Sequence, residues 1–326
     1  MITGASGLLG GNLAAELRNR RVQVRAIRRR TTRTDHLADL DIEWVFGDLD
    51  DPTSLEHAFR GADVVFHSAA AVGVSPTVTA ALRKANVDGT AAVLGAVRKA
   101  GAPRLVHVSS VVAVGLSTDG RPCTEDAPWN FPAYKLDDGY CQTKHQAEEL
   151  VTAAARADVD AVIVNPGFMI GPRDARPSSG RVIVDLVKGK IPIYPSGKNC
   201  FVDVRDVARG AIAAWERGQR GRRYILGGDN LAYRELFQRV ARIGGAKPPR
   251  ISAPRFAAVA AGLAGDAFQR VTGREPIFGS MEARYAYTDR FQFSSARAER
   301  ELGYRHGPID DAIRDALLWF RAQGMV

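Results

Sequence analysis

Near the start of the chain stands the feature that most constrains its fold, Thr3-Gly4-Ala5-Ser6-Gly7-Leu8-Leu9-Gly10. A short apolar run, Met1–Thr3, precedes it, and a segment of helical period, Leu8–Asn19, follows it. Glycines at this spacing between a strand and a helix have separate tasks. Gly4 permits a tight turn, Gly7 lets the backbone approach a pyrophosphate, and Gly10 lets the helix pack close to the strand. The helix N-terminus then offers free N–H groups and partial positive charge to an anion. The chain holds 32 glycines, so the strand–loop–helix setting carries the reading more than the glycines do. Gly4, Ser6, Gly7, Leu8, Leu9 and Gly10 are the candidate cofactor-binding residues of this loop. Only Met1 and Ile2 precede Thr3, so the first strand is either truncated or begins upstream.

The same alternation continues. Candidate strands at Val22–Ile27, Ile42–Phe46, Asp63–His67, Arg104–Val108 and Ala161–Asn165 alternate with helical patterns at Thr53–Phe59, Val78–Ala100 and Gly139–Ala155. The strands read as continuous apolar runs, as expected when both faces of a sheet are covered. The expectation is an α/β fold, a doubly wound parallel (Rossmann) sheet. After Pro166 the rhythm changes: Pro and Gly are dense to Gly197, then come a helix near Asp203–Arg217, a strand at Arg223–Leu226 and mostly helix. This predicts a dinucleotide-binding core at 1–166 and a return to it at 201–228. A smaller, mostly helical substrate domain would be built from 167–200 and 229–326, with a C-terminal helix.

Composition excludes more than it selects. The 326 residues are 45% hydrophobic and 25% charged, which suits a globular chain and not a disordered or fibrous one. No apolar run approaches the roughly 18 residues a transmembrane helix needs. There is no charged leader or apolar signal core, so a cytoplasmic location is expected. The apolar, alanine-rich segment Ile251–Gly273 reads first as a substrate-domain helix and second as a surface that touches a membrane or caps the pocket. Three cysteines, Cys123, Cys141 and Cys200, show no metal or disulfide spacing and are expected to be reduced, with no metal site. The net charge of +9 comes without a nucleic-acid recognition motif, so no nucleic-acid partner is expected.

The cofactor is read from the end of the second strand. An NAD site usually has Asp or Glu about 20 residues past the loop, on the ribose 2′-hydroxyl. Here the stretch is Ala26-Ile27-Arg28-Arg29-Arg30. A guanidinium would bond a 2′-phosphate that a carboxylate would repel. NADP(H) is therefore expected over NAD(H), with Arg28 first and Arg29 second as its partners; the alternative is a solvated strand end. Asp48, with Leu49 beside it, ends the third strand. It would accept from the adenine amino group or serve as a helix N-terminal acid.

Tyr140 and Lys144 lie four apart in a helical segment and so share a face. A nearby ammonium lowers a phenol's pKa and lets it exchange a proton near neutral pH. Tyr194 and Lys198 repeat the spacing, but Pro195 and Gly197 between them break the helix. Ser109 and Ser110 close the strand Arg104–Val108, at the strand ends where ligands of open α/β sheets bind. Cys141 is one residue round the helix from Tyr140 and reads as packing.

These residues resemble the extended short-chain dehydrogenase/reductase superfamily, over nearly the whole chain. The resemblance rests on TGASGLLG, the GDL at Asp48, His67-Ser68-Ala69-Ala70, Asn86 in NVDGT, VSS at Ser110, YCQTK, NPGFMIGP and ELGYRHGPIDDAIRDALLWF. The dihydroflavonol reductase-like subgroup is nearest. Within it, VNPGFMIGPRDARPSSGRVIVD and ERGQRGRRYILGGDNL resemble the bacterial hopanoid-associated sugar epimerase-type proteins. The resemblance implies Tyr140 as acid/base, Lys144 on the nicotinamide ribose and Ser110 on the substrate oxygen. It implies Ala69 and Ala70 along the diphosphate path, Pro166 near the nicotinamide amide, Asn86 as a structural hydrogen-bonding residue, and a homodimer through Val78–Ala100 and Gly139–Ala155. Dehydratases of the superfamily carry Asp-Glu after the catalytic Ser/Thr, whereas Val111-Val112 stands here. The Asn-Asn/Leu segment and Tyr-Gly-Pro turn of nucleotide-sugar epimerases are also replaced, by Ser178-Ser179-Gly180-Arg181 and Met169-Ile170-Gly171-Pro172.

The leading expectation is an NADP(H)-dependent oxidoreductase interconverting a carbonyl and a secondary alcohol on a small organic substrate. The alternative is a sugar epimerase passing through a keto intermediate, with Arg173, Arg176 and Arg181 on a phosphate. A non-enzymatic regulator on the same fold is disfavoured, because such proteins lose the tyrosine or lysine that this chain keeps.

Overall fold

The computed structural model of the chain describes residues 1–102, 104–272 and 279–326. The first half alternates strand and helix: β1 (Ile2–Thr3), α1 (Leu8–Asn19), β2 (Val24–Arg28), β3 (Ile42–Phe46), α2 (Pro52–Phe59) and β4 (Val65–His67). Then come α3 (Ala80–Leu82), α4 (Gly89–Ala100), β5 (Leu105–Val108), α5 (Gly139–Ala157) and β6 (Ala161–Pro166). The second half holds β7 (Phe168–Ile170), α6 (Arg181–Val187), β8 (Ile193–Tyr194), β9 (Lys198–Asp203), α7 (Val204–Arg217), β10 (Arg223–Leu226) and β11 (Asp229–Ala232). It ends with α8 (Tyr233–Gly244), β12 (Ile251–Ser252), α9 (Arg255–Thr272), α10 (Ser280–Ala286), α11 (Ala296–Leu302) and α12 (Ile309–Ala322).

Seven parallel strands form one sheet in the order β3-β2-β1-β4-β5-β6-β10. This is the doubly wound arrangement the alternation predicts, reversing direction between β1 and β4. Period 2 along the strands feeds two cores. Phe66, Val106 and Val164 pack with α1 and α7, while Val65, Leu105 and Ile163 pack with α2, α4 and α5. Both faces are thus covered, which is why the strands carry so few polar residues. A three-stranded sheet, β11-β9-β7, backs onto a third core of α6, α8 and α12.

Two local expectations need correction. The second strand begins at Val24 instead of Val22, because Arg21 turns the chain with φ 61°. The helix expected over Val78–Ala100 begins at Ala80 and changes its bonding within: Arg83–Asp88 wind as a π turn between α3 and α4. That turn directs Asn86 inward, and such bulges cluster at functional sites. Of Ile251–Gly273, Ile251–Ser252 form β12 and Arg255–Thr272 form the helix α9, while Gly273 lies outside the described residues. No described helix is long and apolar enough to cross a membrane.

Candidate functional site

The glycine loop is built as its spacing predicts. Gly4 has φ +74°, and a Cβ there would stand 2.6 Å from the Ala69 nitrogen. A Cβ on Gly10 would stand 2.2 Å from the Gly4 oxygen, so only hydrogen allows α1 to lie this close to β1. Gly7 differs. It is exposed, and its Cβ would meet only the Gly4 oxygen, at 3.4 Å. Gly7 caps α1 without any side-chain bond, and the first turn holds no acid. The helix N-terminus therefore presents unpaired N–H groups and positive potential beside an open approach, a cradle that fits a pyrophosphate. Leu8 and Leu9 are buried under the loop, and the Ser6 carbonyl meets His36 Nε2 at 3.2 Å.

Ala69 and Ala70 follow β4, and the Ala69 backbone abuts Gly4 of this loop. Behind them His67 bonds the Thr3 hydroxyl (2.8 Å) and the Thr90 hydroxyl (3.2 Å), and the Ala69 N–H donates to Thr3 Oγ1. Asn86 accepts from the Ala71 N–H at 2.8 Å and donates to the Ala71 carbonyl and to Thr143 Oγ1 of α5. One amide thus pins the loop after β4 to the helix that carries Tyr140 and Lys144.

At the end of β2, Arg28 lies over the rings of Trp44 and Phe46, at 5.6 and 5.2 Å, and donates to Thr34 Oγ1. Its Nε is buried without a partner among the described residues. Arg29 is exposed. Asp48 does not cap α2. Asp51 does, accepting from the Thr53 and Ser54 N–H groups, which leaves Asp48 with only the Asp50 N–H on its Oδ1. Leu49 packs against Gly89, whose Cβ would meet it at 2.9 Å. Arg173 bonds Asp39 and the His36 carbonyl, at the cofactor-loop side. It is committed there and not to the substrate phosphate that the epimerase alternative asked of it.

Helix α5 starts at the Asp138 cap, whose carboxylate accepts from the Cys141 N–H at 2.7 Å. This start sets Tyr140 on the first turn, half-buried, with its phenol close enough to Ser110 for the serine to favour the phenolate. Of the two strand-end serines, Ser110 influences the tyrosine, whereas Ser109 Oγ is buried without a partner among the described residues. One turn on, the buried Lys144 ammonium donates to the Val108 carbonyl at 2.8 Å. Burial lowers its pKa to about 8, against the opposing charge of Glu148.

The tyrosine's electrostatics correct the expectation. Burial pushes the phenol above its ordinary value, aided by Cys141 and Asp138 and opposed by the Ser110 bond. Sharing a helix face was not enough for Lys144 to lower it, because the ammonium is directed to the end of β5. Cys141 is a packed thiol, pushed up by burial and 2.9 Å from the Tyr285 hydroxyl. All three cysteines are free and buried, and no cluster of metal-ligating side chains occurs among the described residues.

Several supporting residues escaped the sequence reading. Asn165 donates to the Ser110 carbonyl (2.9 Å) and to Glu148 (2.7 Å), which pairs with Arg223 (3.0 Å). Pro166 follows Asn165 at the buried end of β6. Glu148 repeats the spacing from Tyr140 to Lys144, so a buried stripe on one helix face was the available signal. His107 lies beside His67 across β4 and β5, with ring centroids 5.4 Å apart. Burial drives both rings neutral, His67 to about 3.

A doubly wound sheet whose first helix opens uncapped on a glycine loop is a nicotinamide-dinucleotide fold, and the protein is an NAD(P)-dependent enzyme. The chain belongs to the NAD dependent epimerase/dehydratase family, whose profile matches residues 1–227. It is 34% identical over 330 residues to a putative dihydroflavonol 4-reductase of Synechocystis sp., covering 100% of this chain and 95% of that one. It is 31% identical over 325 residues to a 4-hydroxy-2-methyl-3-oxo-4-farnesyl-3,4-dihydroquinoline-1-oxide ketoreductase of Stigmatella aurantiaca, covering 97% and 95%. Its fold is similar to the crystal structure of PA4631, a nucleoside-diphosphate-sugar epimerase from Pseudomonas aeruginosa. The TM-score is 0.82, with 28% identity and 99% and 97% of the two chains covered.

Proposed function

We propose that the protein is an NADP(H)-dependent reductase of a carbonyl on a small organic substrate, working through Tyr140, Ser110 and Lys144. The observation that carries this reading is the Lys144 bond to the Val108 carbonyl, which brings the helix turn bearing Tyr140 to the end of β5, beside Ser110. The cofactor supplies the hydride. The chain's own residues manage the oxygen and the proton. Ser110 holds the carbonyl oxygen by its hydroxyl, and Tyr140 donates the phenolic proton as negative charge develops there. The raised phenol pKa keeps Tyr140 protonated at neutral pH, the form that reduction requires. The Lys144 ammonium has two protons left for ribose hydroxyls after the Val108 bond. Val111 and Val112 stand where an acidic pair would serve a dehydration.

Arg28 and Arg29 would hold the 2′-phosphate, Asp48 and Leu49 the adenine, and Ala69, Ala70 and Pro166 the path to the nicotinamide. Residues 1–166 and 201–228 would form the cofactor unit, and 167–200 with 229–326 the substrate unit. A homodimer through α4 and α5 fits the apolar cleft between Ala91, Leu94, Leu150 and Ala153. The reading is tested by NADPH oxidation against a panel of aryl and alkyl ketones. Wild-type turnover with loss of roughly a hundredfold or more in Tyr140→Phe supports it, and a Tyr140→Phe protein with full turnover refutes it.

A further inference from the structure

The structure assigns the outer face of α9, with the edge formed by β8 and β12, to docking on an anionic membrane surface. Among the described residues eleven large apolar side chains are exposed, and six stand here: Ile193, Ile251, Phe256, Leu263, Phe268 and Val271. Ile193 and Ile251 are direct partners in the β8–β12 pair. At 3.6 residues per turn, the four α9 side chains fall within an arc of about 140°. The helix buries its small residues instead. Ala258 is 6% exposed, and a Cβ on Gly262 would stand 2.6 Å from the Gly279 carbonyl oxygen, so α9 lies closely on α10. A helix in a soluble domain normally turns its large apolar residues inward. This one does the reverse, with Phe256 at 78% and Val271 at 86% exposure.

Charge selects the occupant. Lys188 leads into β8, Lys247 and Arg250 lead into β12, and Arg255 opens α9. All four are exposed and without an ion pair among the described residues. From Lys247 to Thr272 the only acid is Asp266, and it turns toward α10 to accept from the Ser280 N–H. An apolar strip with unpaired cations at the start of its helix and before its two edge strands matches the interface of an anionic leaflet. A second copy of the same face would bring those cations together. The surface also lies next to the chemistry: α10, beneath α9, carries Tyr285, which bonds Cys141 beside Tyr140. Docking this face would hold the substrate side of the enzyme at the leaflet.

The test is co-sedimentation of the full chain with phosphatidylcholine vesicles and with phosphatidylcholine–phosphatidylglycerol vesicles, at low and high salt. Binding is expected to the anionic vesicles only and to fall with salt. Two variants separate the contributions: Phe256→Gln/Leu263→Gln/Val271→Gln removes the apolar strip, and Arg250→Glu/Arg255→Glu reverses the rim. Each is expected to lower partitioning by about tenfold or more. The rim variant touches no core residue, so it keeps the test open if the apolar variant misfolds. The proposal is overturned if the wild type stays in solution with anionic vesicles or if both variants bind as it does. It is equally overturned if the apolar variant only converts a dimer to a monomer, since a second copy would then cover the face.

Discussion

The Lys144 ammonium donates to the Val108 carbonyl at 2.8 Å, tying the first turns of α5 to the end of β5. That bond sets the distance between the tyrosine's helix and the serine's strand. It also holds a cation in a buried place, where burial lowers its pKa from 10.5 to about 8.

The buried charge has a signed consequence for stability. Below pH 8 the lysine is charged in both the folded and unfolded chain, and the fold bears the full desolvation penalty. Between pH 8 and 10.5 only the unfolded chain stays protonated, and the penalty fades. Lys144→Met is therefore expected to gain on the order of 3 kcal/mol at most below pH 8, less what the orphaned Val108 carbonyl takes back. The gain should shrink toward pH 10.5, while turnover is lost. Denaturant melts of both proteins across that range measure it, and a gain that grows with pH would contradict the assignment.

The three loop glycines should separate by mutation. Gly4→Ala and Gly10→Ala put a Cβ into backbone, at 2.6 and 2.2 Å, and should lower the melting temperature and abolish cofactor binding together. Gly7→Ala meets nothing closer than 3.4 Å. It should leave the melting temperature within a degree or two yet weaken NADPH binding by about tenfold, because its methyl fills the phosphate approach. Thermal melts alongside cofactor titrations distinguish the two behaviours.

Arg28 discriminates the cofactors if its guanidinium meets a 2′-phosphate. Arg28→Ala should raise the Kd for NADPH by roughly tenfold to a hundredfold, the worth of a charge-assisted bond, and leave NADH within about twofold. Equal losses for both would mean that Arg28 only supports β3 through Trp44 and Phe46.

The neutral histidines set an acid limit. Below about pH 6.5 the unfolded chain protonates His67, but the folded chain resists until about 3, so stability falls through that window. The loss from His67 alone is on the order of 5 kcal/mol at the acid end. His107 adds to it in the same direction, and neither of its ring nitrogens has a partner. His107→Phe should therefore unfold at lower pH than the wild type in an acid titration followed by circular dichroism. An unchanged or raised midpoint would show that the ring does not stay neutral.

The doubly wound sheet and the loop could be read from the sequence because each rests on local pattern. Apolar runs mark β4, β5 and β6, and Gly4, Gly7 and Gly10 differ by what a single Cβ would meet. The Tyr140 and Lys144 spacing was equally legible. The π turn at Arg83–Asp88 was not, since its bonds skip a residue and leave no periodic trace. Neither was the chain from Ser110 through Asn165 and Glu148 to Arg223, which joins residues on four different elements. The raised phenol of Tyr140 depends on burial and on where the Lys144 ammonium is directed, and spacing encodes neither. For α9, composition foretold a helix, but which side faces outward is decided by the close approach of Gly262 to α10.

The most direct test of the account is to release the small molecules bound to the purified protein with acid and identify them by mass, then titrate NADPH and NADH. A carbonyl reductase that exchanges its cofactor each turnover should retain little, and should bind added NADPH at least about tenfold more tightly than NADH. Near-stoichiometric NAD(H) carried through purification would contradict it, pointing to an internal redox cycle and hence an epimerase.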